Sequence, residues 1–190
     1  MKDMKYEDMD FNKVEVKELN QKDKEFINCR FYHSDFSEVN FSDSFFEDSC
    51  FSECKLSLAK FIDSKLRNVQ FQNCKIVGID FSKCDSFIID IGFEDCLLQS
   101  CNFSDLNLAK GLFRKCEVIG CDFWAAKLTE SDFTYSNLKG TIFEKCDLSK
   151  ANFSFAKEYR LSPSNNKLKR AIFTLPEAAA LLSDYDIVIK

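Results

Sequence analysis

"FSECKLSLAKFIDSKLRNVQF", residues 51–71, places an apolar side chain at every fifth position: Phe51, Leu56, Phe61, Leu66 and Phe71. On an α-helix a step of five rotates about 140° past a full turn and scatters these side chains around the cylinder. On a flat strand an odd step sends successive ones to opposite faces. A third geometry gathers them. If the chain turns through about a right angle after every five residues, each centre points inward again; four sides then close a square coil, and the coils stack into a solenoid.

The period runs far beyond the quoted stretch. It holds from Phe26 to Phe81, resumes at Ile88 and Phe93, and continues to Phe153. All 26 of these centres are apolar in a chain that is 45% hydrophobic, which chance would give about once in a billion. Two residues before each centre the side chain is usually small, as in Cys54, Ala59, Ser64, Cys74, Ala126 and Ser136; the exceptions are Lys24, Val39, Val69, Ile79, Ile91 and Leu106. A large centre beside a small companion is what close packing requires in so narrow a coil. Asp or Asn often precedes the centre, as at Asn40, Asp80, Asn102, Asp122, Asp132 and Asn152, where a short side chain can bond the turning backbone.

From Phe51 onward the centres alternate Phe with an aliphatic residue. Two opposed sides of the square therefore carry Phe ladders and the other two aliphatic ladders. Keeping that alternation across the break after Phe81 makes Ile88 the next centre, with Ser86 as its small companion. The reading implies a two-residue insertion, a bulge near residues 82–87.

The stretches "CDFWA" (121–125), "SNLKG" (136–140), "CDLSK" (146–150) and "ANFSF" (151–155) fit the pattern A-(D/N)-L-x-x. On these the chain resembles the pentapeptide-repeat family, which implies a right-handed quadrilateral β-helix. The expected organisation is an N-terminal arm or incomplete first coil over 1–25, where Phe11 and Val16 keep the period, an all-β solenoid over 26–153, and a C-terminal module over 154–190.

Composition narrows the function. Eight of the ten cysteines occupy the small inward position, where a free thiol does the work of Ala or Ser. There is no C-x-x-C pair, and His33 is the sole histidine, on an outward position; a zinc site lacks its usual ligands. No Gly-rich phosphate loop or G-x-S-x-G occurs. The expectation is a protein without cofactor or metal that is not an enzyme. The charged start "MKDMKYEDMD" has no apolar signal core, and no eighteen-residue apolar run occurs, so neither export by that route nor a membrane span is expected. Free thiols in such number fit a reducing cytoplasm. The net charge of −5 disfavours nucleic acid as a direct partner and allows a basic protein surface.

After "EYRLSPSNN" (158–166), Thr174 with Glu177 fits a capping box, with Pro176 in the first turn of a short helix. Leu175, Ala178, Ala179 and Leu182 would form its apolar stripe, and Ile187, Val188 and Ile189 a short extended tail. With Phe173, these residues are expected to cap the last coil or to bury themselves against a second copy. From Tyr159 through "SPSNNKLKRAIFTLPEAAALL" the segment is similar to the C-terminal module of the Qnr-type quinolone-resistance proteins and their albicidin-resistance relatives. That resemblance implies a homodimer through the module and binding to DNA gyrase and topoisomerase IV by an acidic tower that imitates duplex DNA, protecting the enzymes from quinolones. The best-known Qnr proteins project two longer loops, whereas this chain has room only for the bulge.

In this register one side carries outward carboxylates in every coil: Asp43, Asp63, Asp80, Asp105, Asp122 and Glu144, diluted by Lys60, Lys83 and Lys145. Residues 31–54, Asp43 included, contain six carboxylates and no Lys or Arg. About 30 Å of duplex carries roughly 18 phosphate charges, so charge alone imitates DNA weakly and shape must supply the rest. Trp124, Phe45 and Phe155 are outward aromatics of the kind that anchor interfaces. Self-immunity to another gyrase poison, and a scaffold for an unrelated protein, are the alternative functions the sequence leaves open.

Overall fold

Two residues after nearly every centre the backbone enters the left-handed region: Asn68, Asn73 and Gly78 follow Leu66, Phe71 and Ile76 with φ of 50°, 52° and 67°, whereas Phe81–Lys83 forms a 3₁₀ turn. This is the corner of the square. Because a left-handed residue crowds a branched Cβ, the described corners hold Asp, Asn, Lys, Glu, Gly and a few others, and no Val, Ile or Thr. Most corner N–H groups then bond the coil above, as Asp63 N–H does to the Lys83 carbonyl at 2.8 Å. Before the turn, the Asp or Asn side chain that precedes the centre closes a second bond: Asn102 Oδ1 accepts from Ser104 N–H at 3.0 Å, and Asp132 Oδ1 from Thr134 N–H at 2.9 Å.

The computed structural model describes residues 4–14, 22–185 and 187; Val16, Val188 and Ile189 fall outside the described residues. The chain is a parallel β-solenoid of about eight turns with one short helix. Phe31 pairs with Phe51 and Phe51 with Phe71, a register of one coil, and Phe71 pairs with Phe93 across the insertion. We name the four sides by their inward centres. Face A carries Phe41, Phe61, Phe81, Phe103, Phe123 and Phe143; face B follows with Phe26, Phe46, Leu66, Leu108, Leu128 and Leu148. Face C carries Phe31, Phe51, Phe71, Phe93, Phe113, Phe133 and Phe153, and face D carries Phe36, Leu56, Ile76, Leu98, Val118 and Leu138.

The opposed Phe ladders of faces A and C meet as the alternation requires. Rings stack along each ladder, 4.5 Å apart for Phe31–Phe51 and 4.8 Å for Phe103–Phe123, and meet edge to face between ladders, as Phe103 and Phe113 do at 5.8 Å and 88°. Burying one such ring is worth roughly 1.5–3 kcal/mol, and each aromatic pair about 0.5–1.5 more.

The small companions are chosen for chemistry as well as size. In the column Cys54, Cys74, Cys96, each sulfur accepts a backbone N–H from the coil below: Cys54 N–H to Cys74 Sγ at 3.4 Å, Cys74 N–H to Cys96 Sγ at 3.3 Å. Cys74 Sγ also donates to the carbonyls of Phe51 and Gln72. Ser136 does the same with oxygen for Cys116 N–H, at 2.8 Å. Thiol or hydroxyl here satisfies backbone groups that would otherwise be buried unpaired.

The insertion departs from its expected register. Ile89, not Ile88, pairs with Leu66 and packs on the core, a register shift separates Ile89 from Ile91, and Ser86 is exposed rather than a companion. The extra residues loop outward before the side begins, carrying Phe87 96% exposed, and the bulge restores phase by Ile91. Cys84 thus keeps the small inward position above Ser64 and is buried, which makes nine inward cysteines with the eight read from sequence.

Both ends extend the ladder. Met4–Glu7 pairs with Lys24–Ile27 and Asp10–Asn12 with Arg30–Tyr32, so Tyr6 stacks on Phe26 at 5.1 Å and Phe11 on Phe31 at 4.9 Å. At the other end Ile172–Phe173 pairs with Asn152–Phe153, and Phe173 stacks on Phe153 at 5.1 Å. Asn166 fills the small position there: its Oδ1 accepts Cys146 N–H at 2.9 Å while Nδ2 donates to the Phe143 carbonyl at 2.8 Å.

The terminal helix, Glu177–Tyr185, is 3₁₀ and not the expected α-helical stripe. With three residues per turn, i and i+3 eclipse, and Ala180 and Leu181 pack on the core while Leu182 is exposed. Nor does Thr174 cap the helix with its side chain. Its Oγ1 accepts Phe155 N–H at 2.8 Å, leaving its carbonyl to take Ala178 N–H at 3.0 Å.

Candidate protein-binding surface

Face A gathers all six carboxylates expected of an acidic side, but in three separate rows. Asp43, Asp63 and Asp105 occupy the corner row, each left-handed with φ of 62°, 55° and 61°. Their side chains are exposed and make no hydrogen bond or ion pair among the described residues. Lys83 stands in the same row between Asp63 and Asp105. Asp80 and Asp122 lie on the row before the centre and serve the turn: Asp80 Oδ1 accepts from Ser82 N–H at 3.2 Å and Asp122 Oδ1 from Trp124 N–H at 2.8 Å. Glu144, half-buried, accepts from Asn165 Nδ2 at 3.2 Å. The free charge of the face is thus concentrated at one edge.

Beside that edge, face A exposes Ile62, Trp124 and Ile142, which keep 45%, 40% and 47% of their surface in solvent. Lys145 Nζ sits 4.9 Å from the centre of the Trp124 ring. Apolar anchors with one aromatic and a charged rim are the ingredients of a protein interface. The other two outward aromatics are engaged within the chain: Arg67 lies over the half-buried Phe45 at 5.5 Å, and Phe155 stacks on Tyr135 at 4.8 Å.

Of the acidic run at residues 31–54, Asp43 alone belongs to this surface. Since twenty residues make one coil, a run in sequence becomes a ring in space. Asp35 lies on face D, Glu47 and Asp48 on face B, and Glu53 beyond face C. Most are answered by neighbouring coils: Glu47 by Arg67 at 2.7 Å, Asp48 by Asn68 at 2.7 Å, Asp35 by Lys55 at 3.9 Å and Glu53 by His33 at 3.4 Å.

The residues expected to cap or dimerise fall into a packed group and an exposed group. Phe173 covers the last coil, with Tyr159 packed beside it at 5.6 Å. Burial pushes the Tyr159 hydroxyl up to about 12, and it has no hydrogen-bond partner among the described residues. Ala178 and Ala179 are half-buried, while Leu175, Leu182 and Ile187 point to solvent, Leu175 with 82% exposed. Between the helix and the last coils lies an open cleft of about 990 Å³, lined by Ile142, Phe143, Leu161 and Ala180 among others.

Among the described residues no group of three or more His, Cys, Asp or Glu side chains could hold a metal ion, and no helix is long and apolar enough to cross a membrane. Ten free thiols are present, nine of them buried; only Cys50 is half-exposed.

Two solved structures of trypsin-treated QnrB1 variants, described as a plasmid-mediated fluoroquinolone resistance protein, share this fold. One matches with a TM-score of 0.66 at 18% identity, covering 99% of this chain and 98% of the other. The second gives 0.57 at 17%, with the same coverage. No curated protein sequence matches. The family described as "Pentapeptide repeat region" matches residues 24–87, and "Pentapeptide repeats (8 copies)" matches 112–144 and 126–157. The matched repeats span more than half of the chain, and it belongs to the pentapeptide-repeat family.

Proposed function

We propose that this protein binds a bacterial type II topoisomerase, DNA gyrase or topoisomerase IV, and protects it from quinolones without catalysing a reaction. The supporting observation is that the fold runs parallel to QnrB1, a fluoroquinolone resistance protein, over 98% of that chain, so the likeness includes both ends as well as the repeats. Face A supplies the physical rationale. A rigid column with three free carboxylates, Asp43, Asp63 and Asp105, along one edge, flanked by Ile62, Trp124 and Ile142, suits a basic surface that otherwise holds duplex DNA. Shape carries most of the imitation, because the corner row holds far fewer charges than the duplex it would replace. The exposed Leu175, Leu182 and Ile187 would be buried between two copies, giving a dimer that acts in the cytoplasm beside its target.

Supercoiling by purified gyrase in the presence of a fluoroquinolone tests the reading. Dose-dependent rescue by the native protein is the expected outcome. Protection from a peptide poison of gyrase in place of the quinolone would move the function to self-immunity, and absence of binding to either topoisomerase would remove it.

A further inference from the structure

Face B changes character along its length. Its C-terminal half is joined by the bridges Asn107–Lys127, Lys127–Asp147 and Asp147–Lys167, and its corner row runs Lys110, Glu130, Lys150, Arg170, each left-handed. With Lys169, this surface presents six exposed cations, Lys110, Lys127, Lys150, Lys167, Lys169 and Arg170, against two carboxylates. Those two are already held: Glu130 by Lys150 at 2.7 Å and Asp147 by Lys167 at 3.7 Å. Lys110, Lys127, Lys169 and Arg170 have no ion-pair partner among the described residues. A surplus of four positive charges thus sits on one flat face of a chain whose net charge is −5.

We propose that this half of face B is a second binding surface, one that takes the phosphate backbone of duplex DNA. The chemistry decides between an acidic protein and a nucleic acid. A protein interface needs an apolar centre, and none of the exposed large apolar side chains lies here; they are on faces A, C and D, the bulge and the ends. What stands between the cations is Asn107, Thr129 and Ser149, small hydrogen-bonding groups of the kind that accompany Lys and Arg on phosphates. The rows rise by one strand spacing per coil, so three steps from Lys110 to Arg170 cover about 14 Å, alongside roughly eight duplex phosphates. A flat side of the coil enters neither groove, so its Lys, Arg and Asn side chains reach the backbone and the contact is independent of sequence. The net charge that argues against nucleic acid is an average over this basic face and the acidic remainder. The surface stands independently of the topoisomerase reading.

The test is fluorescence anisotropy of a labelled mixed-sequence 30-base-pair duplex titrated with the full chain between 25 and 200 mM KCl. Four unpaired cations predict a log–log salt slope of about −3 to −4, a loss of roughly a hundredfold between 50 and 200 mM. The variant Lys127→Glu, Lys169→Glu, Arg170→Glu should bind at least tenfold more weakly at 25 mM. A second variant with the same charge change elsewhere, Lys13→Glu, Lys75→Glu, Lys157→Glu, should stay within about threefold of native, with both variants checked for an unchanged melting transition. No binding at 25 mM KCl, or equal losses in the two variants, would overturn the proposal. So would displacement of DNA by polyglutamate at matched charge concentration, which would assign the face to acidic proteins.

Discussion

The amide of Cys54 points at the sulfur of Cys74 in the coil above, 3.4 Å away, and that sulfur in turn donates to the carbonyls of Phe51 and Gln72 at 3.3 Å each. A thiol in this position links two coils. Replacing Cys74 with Ser keeps the donor and acceptor and should cost less than 1 kcal/mol, whereas Cys74→Ala strands the buried Cys54 amide and should cost about 1–3 kcal/mol. Urea unfolding of the two variants measures the difference; equal costs would make the column a matter of volume alone.

Burial pushes the thiols of Cys84 and Cys146 up to about 12. In the unfolded chain a thiol ionises near pH 8.5. Above that value the unfolded state binds fewer protons than the folded one, so stability falls as pH rises, by up to about 1.4 kcal/mol per unit for each thiol, until the folded thiol itself ionises. The urea midpoint should be level between pH 7 and 8 and drop from pH 9 upward. The double variant Cys84→Ser, Cys146→Ser should lose that part of the slope.

The insertion marks where sequence reading reached its limit. The period of five was legible because every coil repeats the same demand for one large inward residue, and it fixed four faces, two Phe ladders and most companions without ambiguity. At residues 82–89 three adjacent apolar residues, Phe87, Ile88 and Ile89, each satisfy the pattern, and choosing among them depends on backbone phase, which Phe alternation does not resolve. The register puts the six carboxylates on one side of the coil, yet which of them are free depends on hydrogen bonds to Ser82, Trp124 and Asn165, and spacing carries no such information. The basic half of face B is not legible in the sequence because its lysines are far apart along the chain and are brought together only by the coil.

The register at the bulge is open to test. Ile89→Ala removes a side chain packed over Leu66 and should cost about 2 kcal/mol or more. Ile88→Ala should cost less than half of that, and Phe87→Ser, at an exposed position, should stay within about 0.5 kcal/mol. Thermal or urea unfolding of the three variants gives the order directly; a larger loss for Ile88 would restore the register expected from sequence.

Position along the Phe ladder should set the cost of truncation. Phe103 is fully buried between Phe81 and Phe123, with Phe93 and Phe113 edge-on. Phe103→Ala should cost about 3–5 kcal/mol. Phe11, half-buried at the open end with a single stacked neighbour, Phe31, should cost clearly less. Comparable losses would mean that the ladder unfolds as one cooperative unit whose end coil is as tightly held as its middle.

The division of face A into free and engaged carboxylates makes two kinds of variant behave differently. Asp43→Lys, Asp63→Lys and Asp105→Lys together reverse the corner row without touching a hydrogen bond, so the melting transition should be nearly unchanged while rescue of gyrase supercoiling is lost. Asp80→Ala and Asp122→Ala remove acceptors for Ser82 and Trp124 amides, and each should cost about 0.5–1.5 kcal/mol in stability with rescue largely kept once the protein is folded. Parallel measurement of unfolding and of drug-inhibited supercoiling separates them. If the corner variant protects as well as the native chain, the acidic edge has no part in the contact, and Ile62, Trp124 and Ile142 become the residues to change next.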